Sequence, residues 1–88
     1  MRPSCIQCGM KHLGQAVVLY HETKKGYAHH IVYAVGHLAE AEDELIKDFP
    51  AWTDRIRQLR IALMDGEEVD FDEIVNDYYI FYQAQVGE

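Results

Sequence analysis

An all-α domain is the architecture these 88 residues predict: a small bundle of three to four helices built on an antiparallel helical hairpin. Apolar residues recur at helical spacing in four consecutive stretches. Glycine or proline breaks the pattern between them, at Gly26, Pro50 and Gly66. Acidic or hydroxylated residues stand where helix N-termini need acceptors.

The first helix is expected to begin at Ser4, where Ser4-Cys5-Ile6-Gln7 fits an S-x-x-Q capping box with Pro3 just outside it. Its core stripe is Ile6, Met10, Leu13, Val17 and Tyr20. It ends near Lys24-Lys25-Gly26, with cations at the negative end of the helix dipole and a glycine to close it. The second helix runs from Tyr27 or Ala28 to Ile46 or Lys47, with Ile31, Ala34, Val35, Leu38, Ala41 and Leu45 facing inward. Glu40, Glu42, Asp43 and Glu44 make its second half acidic.

Pro50 suits the first turn of a third helix, whose seam is Trp52, Ile56, Leu59 and Leu63 and which stops at Asp65-Gly66. The fourth begins at a second capping box, Asp70 to Glu73, flanked by a Val69–Ile74 staple. Its inward face is Phe71, Ile74, Val75, Tyr78 and Tyr82. The run Tyr78-Tyr79-Ile80-Phe81-Tyr82 has high β propensity, so residues 78–83 are where the helical reading competes with a strand. One helical domain is expected over residues 1–88, with no repeat and no linker.

Hydrophobic residues are 49% of the chain, enough to form a core. A chain this short gains from a staple such as a metal, a disulfide or a partner. Fifteen acidic against eight basic side chains give a net charge of −7, a field that repels a phosphate backbone and argues against direct nucleic-acid binding. No apolar run approaches the roughly 20 residues that span a bilayer. The N-terminus lacks the n- and h-regions of a secretory signal, so a cytoplasmic protein is expected, in a host cytoplasm if phage-encoded. In a reducing compartment a lone C-x-x-C more often binds metal or does redox work than forms a structural bridge.

The two cysteines, Cys5 and Cys8, share one helical face with His12, because a turn of about 100° per residue brings all three within roughly 60°. In a short antiparallel hairpin turning at Gly26, facing residues have numbers summing to about 50. His37 is then level with His12, and Glu44 is level with Cys5 or Ile6. Cys5, Cys8, His12 and His37 would form a Cys2His2 set suited to one structural zinc ion. Glu44 is the rival fourth ligand, and Glu40 and Glu44 are candidate acceptors for the outer imidazole nitrogens. His21, His29 and His30 lie outside this cluster.

Two other readings of the cysteines stand beside the zinc site. They could be a redox couple at a helix N-terminus, or small apolar side chains in a core. His37-Leu38-Ala39-Glu40 matches neither the deaminase nor the H-E-x-x-H spacing, and a site with four protein ligands leaves no open position. With Ser4 the only serine, no nucleophilic triad is available, so no enzyme is expected.

Arg55, Arg57 and Arg60 with Lys47 form the main basic patch, expected to pair with the acidic end of the second helix. Tyr79, Phe81 and Arg57 are the candidate patch for a protein partner, since aromatic and arginine side chains favour interfaces. The role these features support is a zinc-stapled structural or protein-binding module. The alternatives are a phage-type acidic inhibitor or DNA mimic, and a C-x-x-C thiol redox protein.

Cys5-Ile6-Gln7-Cys8-Gly9-Met10-Lys11-His12-Leu13 and Gly36-His37-Leu38-Ala39-Glu40-Ala41-Glu42 resemble a loosely defined group of small bacterial and phage-encoded proteins. That group carries C-x-x-C-x-x-K-H-L followed by G-H-L-A-E-A-E. The likeness covers the first two helices and part of the third. It implies a recurring Cys-His module in a phage or mobile-element setting, and it supplies no substrate and no reaction.

Overall fold

A computed structural model describes residues 3–86. Four helices make up the chain in order: α1 (Ile6–Lys24), α2 (His30–Leu45), α3 (Pro50–Met64) and α4 (Phe71–Val86), with no strand among the described residues. The one-domain expectation over 1–88 extends at both ends to positions outside the described residues. α1 and α2 form the antiparallel hairpin, α3 packs on α2, and α4 packs on α1. The hairpin is thus the central element. No helix among the described residues is long and apolar enough to cross a membrane.

The hairpin turns at Gly26, whose φ of +110° is open to glycine and strained for other residues. Before α2 begins, His30, Ile31 and Val32 donate to the carbonyls of Tyr27, Ala28 and His29. These tight i→i+3 bonds delay the regular helix to His30, later than the Tyr27 or Ala28 start expected. Pro50 occupies the first turn of α3 as expected, and Gly66, at φ +76°, follows the end of that helix.

Two expectations for the helix ends part company. The Asp70 cap holds, since Oδ1 of Asp70 accepts from the Glu73 amide at 3.1 Å. The Ser4 cap does not. α1 starts at Ile6, and Cys5 is its N-cap, with Sγ accepting from the Cys8 amide at 3.1 Å. Ser4 is drawn away by Asp48 across the open end of the hairpin. The Ser4 amide donates to Asp48 Oδ2 and the Asp48 amide donates to Ser4 Oγ, each at 2.9 Å. The Ser4 hydroxyl thus accepts from an amide 44 residues away, and the first turn of α1 is capped by Cys5.

The core comprises Leu13, Ala16 and Tyr20 of α1, Leu38, Ala41 and Leu45 of α2, Ile56, Leu59 and Leu63 of α3, and Phe71 and Tyr78 of α4. In α1 the fully buried line is Gly9, Leu13, Ala16 and Tyr20, while Ile6, Met10 and Val17 are only half-buried. Gly9 explains that rotation. It lets Tyr78 approach until its hydroxyl donates to the Ile6 carbonyl at 2.7 Å. A Cβ at residue 9 would collide with that hydroxyl and crowd Leu45 Cδ1 at 3.2 Å. The β-prone run is helical: Tyr78 is buried while Tyr79 and Ile80 face solvent, so tertiary packing of one tyrosine overrides local propensity.

α3 is fastened to α2 by Glu42, one of the four acidic residues in the second half of that helix and only 6% exposed. Arg60 grips both its oxygens, through Nε on Oε2 and through Nη2 on Oε1 at 3.2 Å. Arg57 adds Nε on Oε1 at 3.3 Å. Two of the three arginines therefore pair with the acidic end of α2 as expected, and the bonds to Glu42 hold the Arg60 guanidinium above its ordinary pKa. Arg55 instead bridges to Asp77 of α4 at 2.7 Å and lies over the Trp52 ring.

Gly9→Ala should lower stability by about 1–2 kcal/mol. Overpacking of roughly 1–3 kcal/mol outweighs a helix-propensity gain of about 1 kcal/mol. Urea unfolding tests this, and Gly9→Ala combined with Tyr78→Phe should recover part of the loss. A second outcome follows from burial, which raises the Tyr78 phenol above its ordinary value of 10.0, with Tyr82 adding to the rise. Between that ordinary value and the raised one, the unfolded chain releases a proton that the folded chain keeps. Stability from this group is therefore complete below about pH 10 and falls as pH rises further. Tyr78→Phe should flatten the alkaline loss more than Tyr79→Phe does in unfolding curves taken across pH 9–11.

Candidate metal centre

Six side chains line one strip of the hairpin. On α1 they are Cys5, Cys8 and His12, spaced i, i+3, i+7; on α2, running the other way, they are His37, Glu40 and Glu44 with the same spacing. On antiparallel helices the two rows meet at their ends, Cys5 with Glu44 and His12 with His37, while the middle residues Cys8 and Glu40 are offset toward opposite ends. The register is close to the one expected. The Cys5 amide donates to the Glu44 carbonyl at 2.9 Å, and the His12 and His37 rings meet with Nδ1 atoms 3.1 Å apart.

The strip divides into two ligand sets. His12, His37 and Glu40 form one, and Cys5, Cys8 and Glu44 form the other; within each, one donor atom per residue lies within 4.8 Å of the others. Among the described residues no mixed set of cysteine and histidine reaches that tightness. The four ligands expected to share one ion are thus distributed over two levels of the hairpin. Glu40 and Glu44, expected as supporting or rival groups, each join one level.

Glu40 Oε1 lies 3.4 Å from His12 Nδ1 and 3.2 Å from His37 Nδ1. The side chains of His12 and His37 are 19% and 28% exposed, sheltered at the helix interface, whereas Glu40 is 59% exposed and closes the set from outside. His37 stands between two open grooves, one bordered by Met10, Gly14 and Val18 and the other by Val32, Tyr33 and Gly36.

At the other level, Cys5 and Cys8 are joined as a disulfide. Placement at i and i+3 in the first turn sets their Cα atoms 5.2 Å apart, inside the range that a bridge spans. This differs from the sequence reading, which set metal or redox chemistry ahead of a bridge. A disulfide-bonded pair has no thiolate to offer, so this state does not show zinc binding by the cysteines.

The remaining histidines have other partners. His21 meets Asp72 of the α4 N-terminus at 3.1 Å. His29 and His30 stack with Tyr27 and Tyr33 beside the hairpin turn.

The residues of the candidate partner patch are separated by packing. Phe81 lies among Phe49, Trp52 and Tyr78, with ring centroids 5.1–5.5 Å away. Arg57 is held by Glu42 and by Asp54 at 3.1 Å. Tyr79 remains on the surface, where Gln83 donates to its hydroxyl at 3.1 Å. Sequence reasoning missed Ser4 and Asp48 as the clamp that sets the level of the strip. Ser4 was expected to cap α1, so no local rule paired it with Asp48. No protein-family model matches the chain, and no curated protein or solved structure matches it.

Because the bridge closes a loop between residues only three apart, its chain-entropy contribution is small, about 2 kcal/mol at most. Reduction should lower the melting temperature modestly and leave the helical circular dichroism in place. Melts with and without a phosphine reductant check this, and loss of helix at room temperature would contradict it.

Proposed function

We propose that this protein is a non-catalytic helical module whose α1–α2 hairpin is stapled by a divalent ion, zinc by ligand chemistry, on His12, His37 and Glu40. The observation that carries the reading is the triangle of donor atoms with edges of 3.1, 3.2 and 3.4 Å. Zinc bonds of 2.0–2.1 Å arranged tetrahedrally put neighbouring ligand atoms about 3.3–3.4 Å apart, so the three atoms already outline one face of such a site. In a suitable tautomer each directs a lone pair into the same small space. One cation satisfies all three.

The ligands come from two helices far apart in sequence, so binding favours the closed hairpin over the unfolded chain. Three protein ligands leave a fourth position for water or a further donor, and the support for a structural role over a catalytic one is that His37 borders open grooves and not an enclosed cleft. A stapled hairpin would present a rigid, acidic surface to a protein partner with basic residues.

Protein purified without chelator should carry close to one equivalent of zinc. At a free-ion concentration a hundred times the dissociation constant, the staple contributes about 2.7 kcal/mol. For a domain of this size that is roughly 10 °C or more in melting temperature. In the oxidised protein, chelator should remove the gain in the wild type and have no effect on His37→Ala. Metal-free protein with an unchanged melt after added zinc would refute the reading.

A further inference from the structure

The cysteine level of the strip also has the makings of a site, one that the bridged state conceals. We propose that Cys5, Cys8 and Glu44 form a second metal site that opens when the disulfide is reduced, so that the reduced protein binds two divalent ions where the oxidised protein binds one. The count of two rests on the histidine site proposed above; the cysteine site itself does not.

Three observations carry it. Both sulfurs and a Glu44 carboxylate oxygen lie within 4.8 Å of one another, and each of the three residues is half-buried. That leaves an ion both shelter and a way in. The Cys5 amide bond to the Glu44 carbonyl, at 2.9 Å, holds these two residues at one level whatever the sulfurs do. Finally, no cysteine joins the histidine set. The Cα–Cβ bonds of a helix lean toward its N-terminus, so Cys5 and Cys8 lean toward the open end of the hairpin, away from the level of His12 and His37.

The chemistry follows from the donors. Two thiolates and a carboxylate make a soft, anionic set that suits zinc or cadmium. The positive end of the α1 dipole stabilises the thiolates. A phosphine reductant gives two electrons to the S–S bond and takes up the oxygen of a water molecule to become a phosphine oxide, while the two protons of that water complete the two thiols. With a dithiol reductant, those electrons and protons come from the dithiol as it closes to its own disulfide. Each cysteine thiol then loses its proton as the ion binds.

The two ions would lie roughly 8 Å apart, since the centres of the two sets are five to six residues apart along each helix at a rise of about 1.5 Å per residue. Their repulsion is offset by the ligands. An ion on two neutral imidazoles and one carboxylate has net charge +1, and an ion on two thiolates and one carboxylate has net charge −1. The loaded sites attract.

The test is titration of the whole chain with cobalt(II), oxidised and phosphine-reduced, reading stoichiometry together with the thiolate-to-cobalt charge-transfer absorption. Oxidised protein should bind one equivalent without that absorption. Reduced protein should bind two, with the absorption belonging to one of them. In reduced protein, Glu44→Gln should weaken the absorbing ion by at least about tenfold and spare the other, and His37→Ala should do the reverse.

A single equivalent whose absorption disappears in His37→Ala would overturn the proposal in favour of one shared Cys2His2 ion. Reduced protein with no charge-transfer absorption would overturn it outright. Failure of the histidine site has a different signature: no binding by the oxidised protein, with an absorbing ion still bound after reduction.

Discussion

The register of the α1–α2 hairpin is the constraint on which the rest of the molecule depends. It is pinned at both ends. Gly26 permits the tight turn at one, and at the other Ser4 and Asp48 exchange amide bonds while Cys5 donates to the Glu44 carbonyl. Those bonds satisfy amides near the start of α1 that the helix itself leaves orphaned. Slipping one helix by a residue would turn its strip through about 100°, and the facing donor rows would no longer meet.

The other two helices are attached to this hairpin by unlike means. α4 is held by shape: a glycine at residue 9 opens a slot, and the Tyr78 ring fills it with its hydroxyl on the Ile6 carbonyl. α3 is held by charge as well as apolar contact, with Glu42 clamped between Arg57 and Arg60. A carboxylate so withdrawn from water is costly unless its partners are in place, so this cluster favours one docking of α3 over others. Neither attachment draws on the side chains of the strip.

That strip combines two kinds of donor at two levels. On the reading proposed above, imidazole and carboxylate at one level would accept a borderline ion in any redox condition. The sulfurs at the other offer ligands only as thiolates. Stapling and redox sensitivity would therefore be compatible in one short hairpin, at levels about one and a half turns apart.

The helical class, the four segments, the hairpin and the identity of all six strip residues were legible in the linear order of residues, because helical period, breakers and antiparallel register are local or nearly local rules. The Asp70 cap was legible for the same reason. What required the folded chain was every choice between competing partners. Ser4 could cap α1 or clamp Asp48, and the long-range amide won. Nothing local set Glu42 apart from its acidic neighbours until two arginines from α3 closed over it. The β-prone tyrosines became helix because one of them fits against Gly9. The four proposed ligands of a single ion are spread over two levels, because side chains lean along their helices by an amount that spacing alone does not reveal. Periodicity says which residues share a face; only packing in three dimensions says which atoms on that face come within bonding distance.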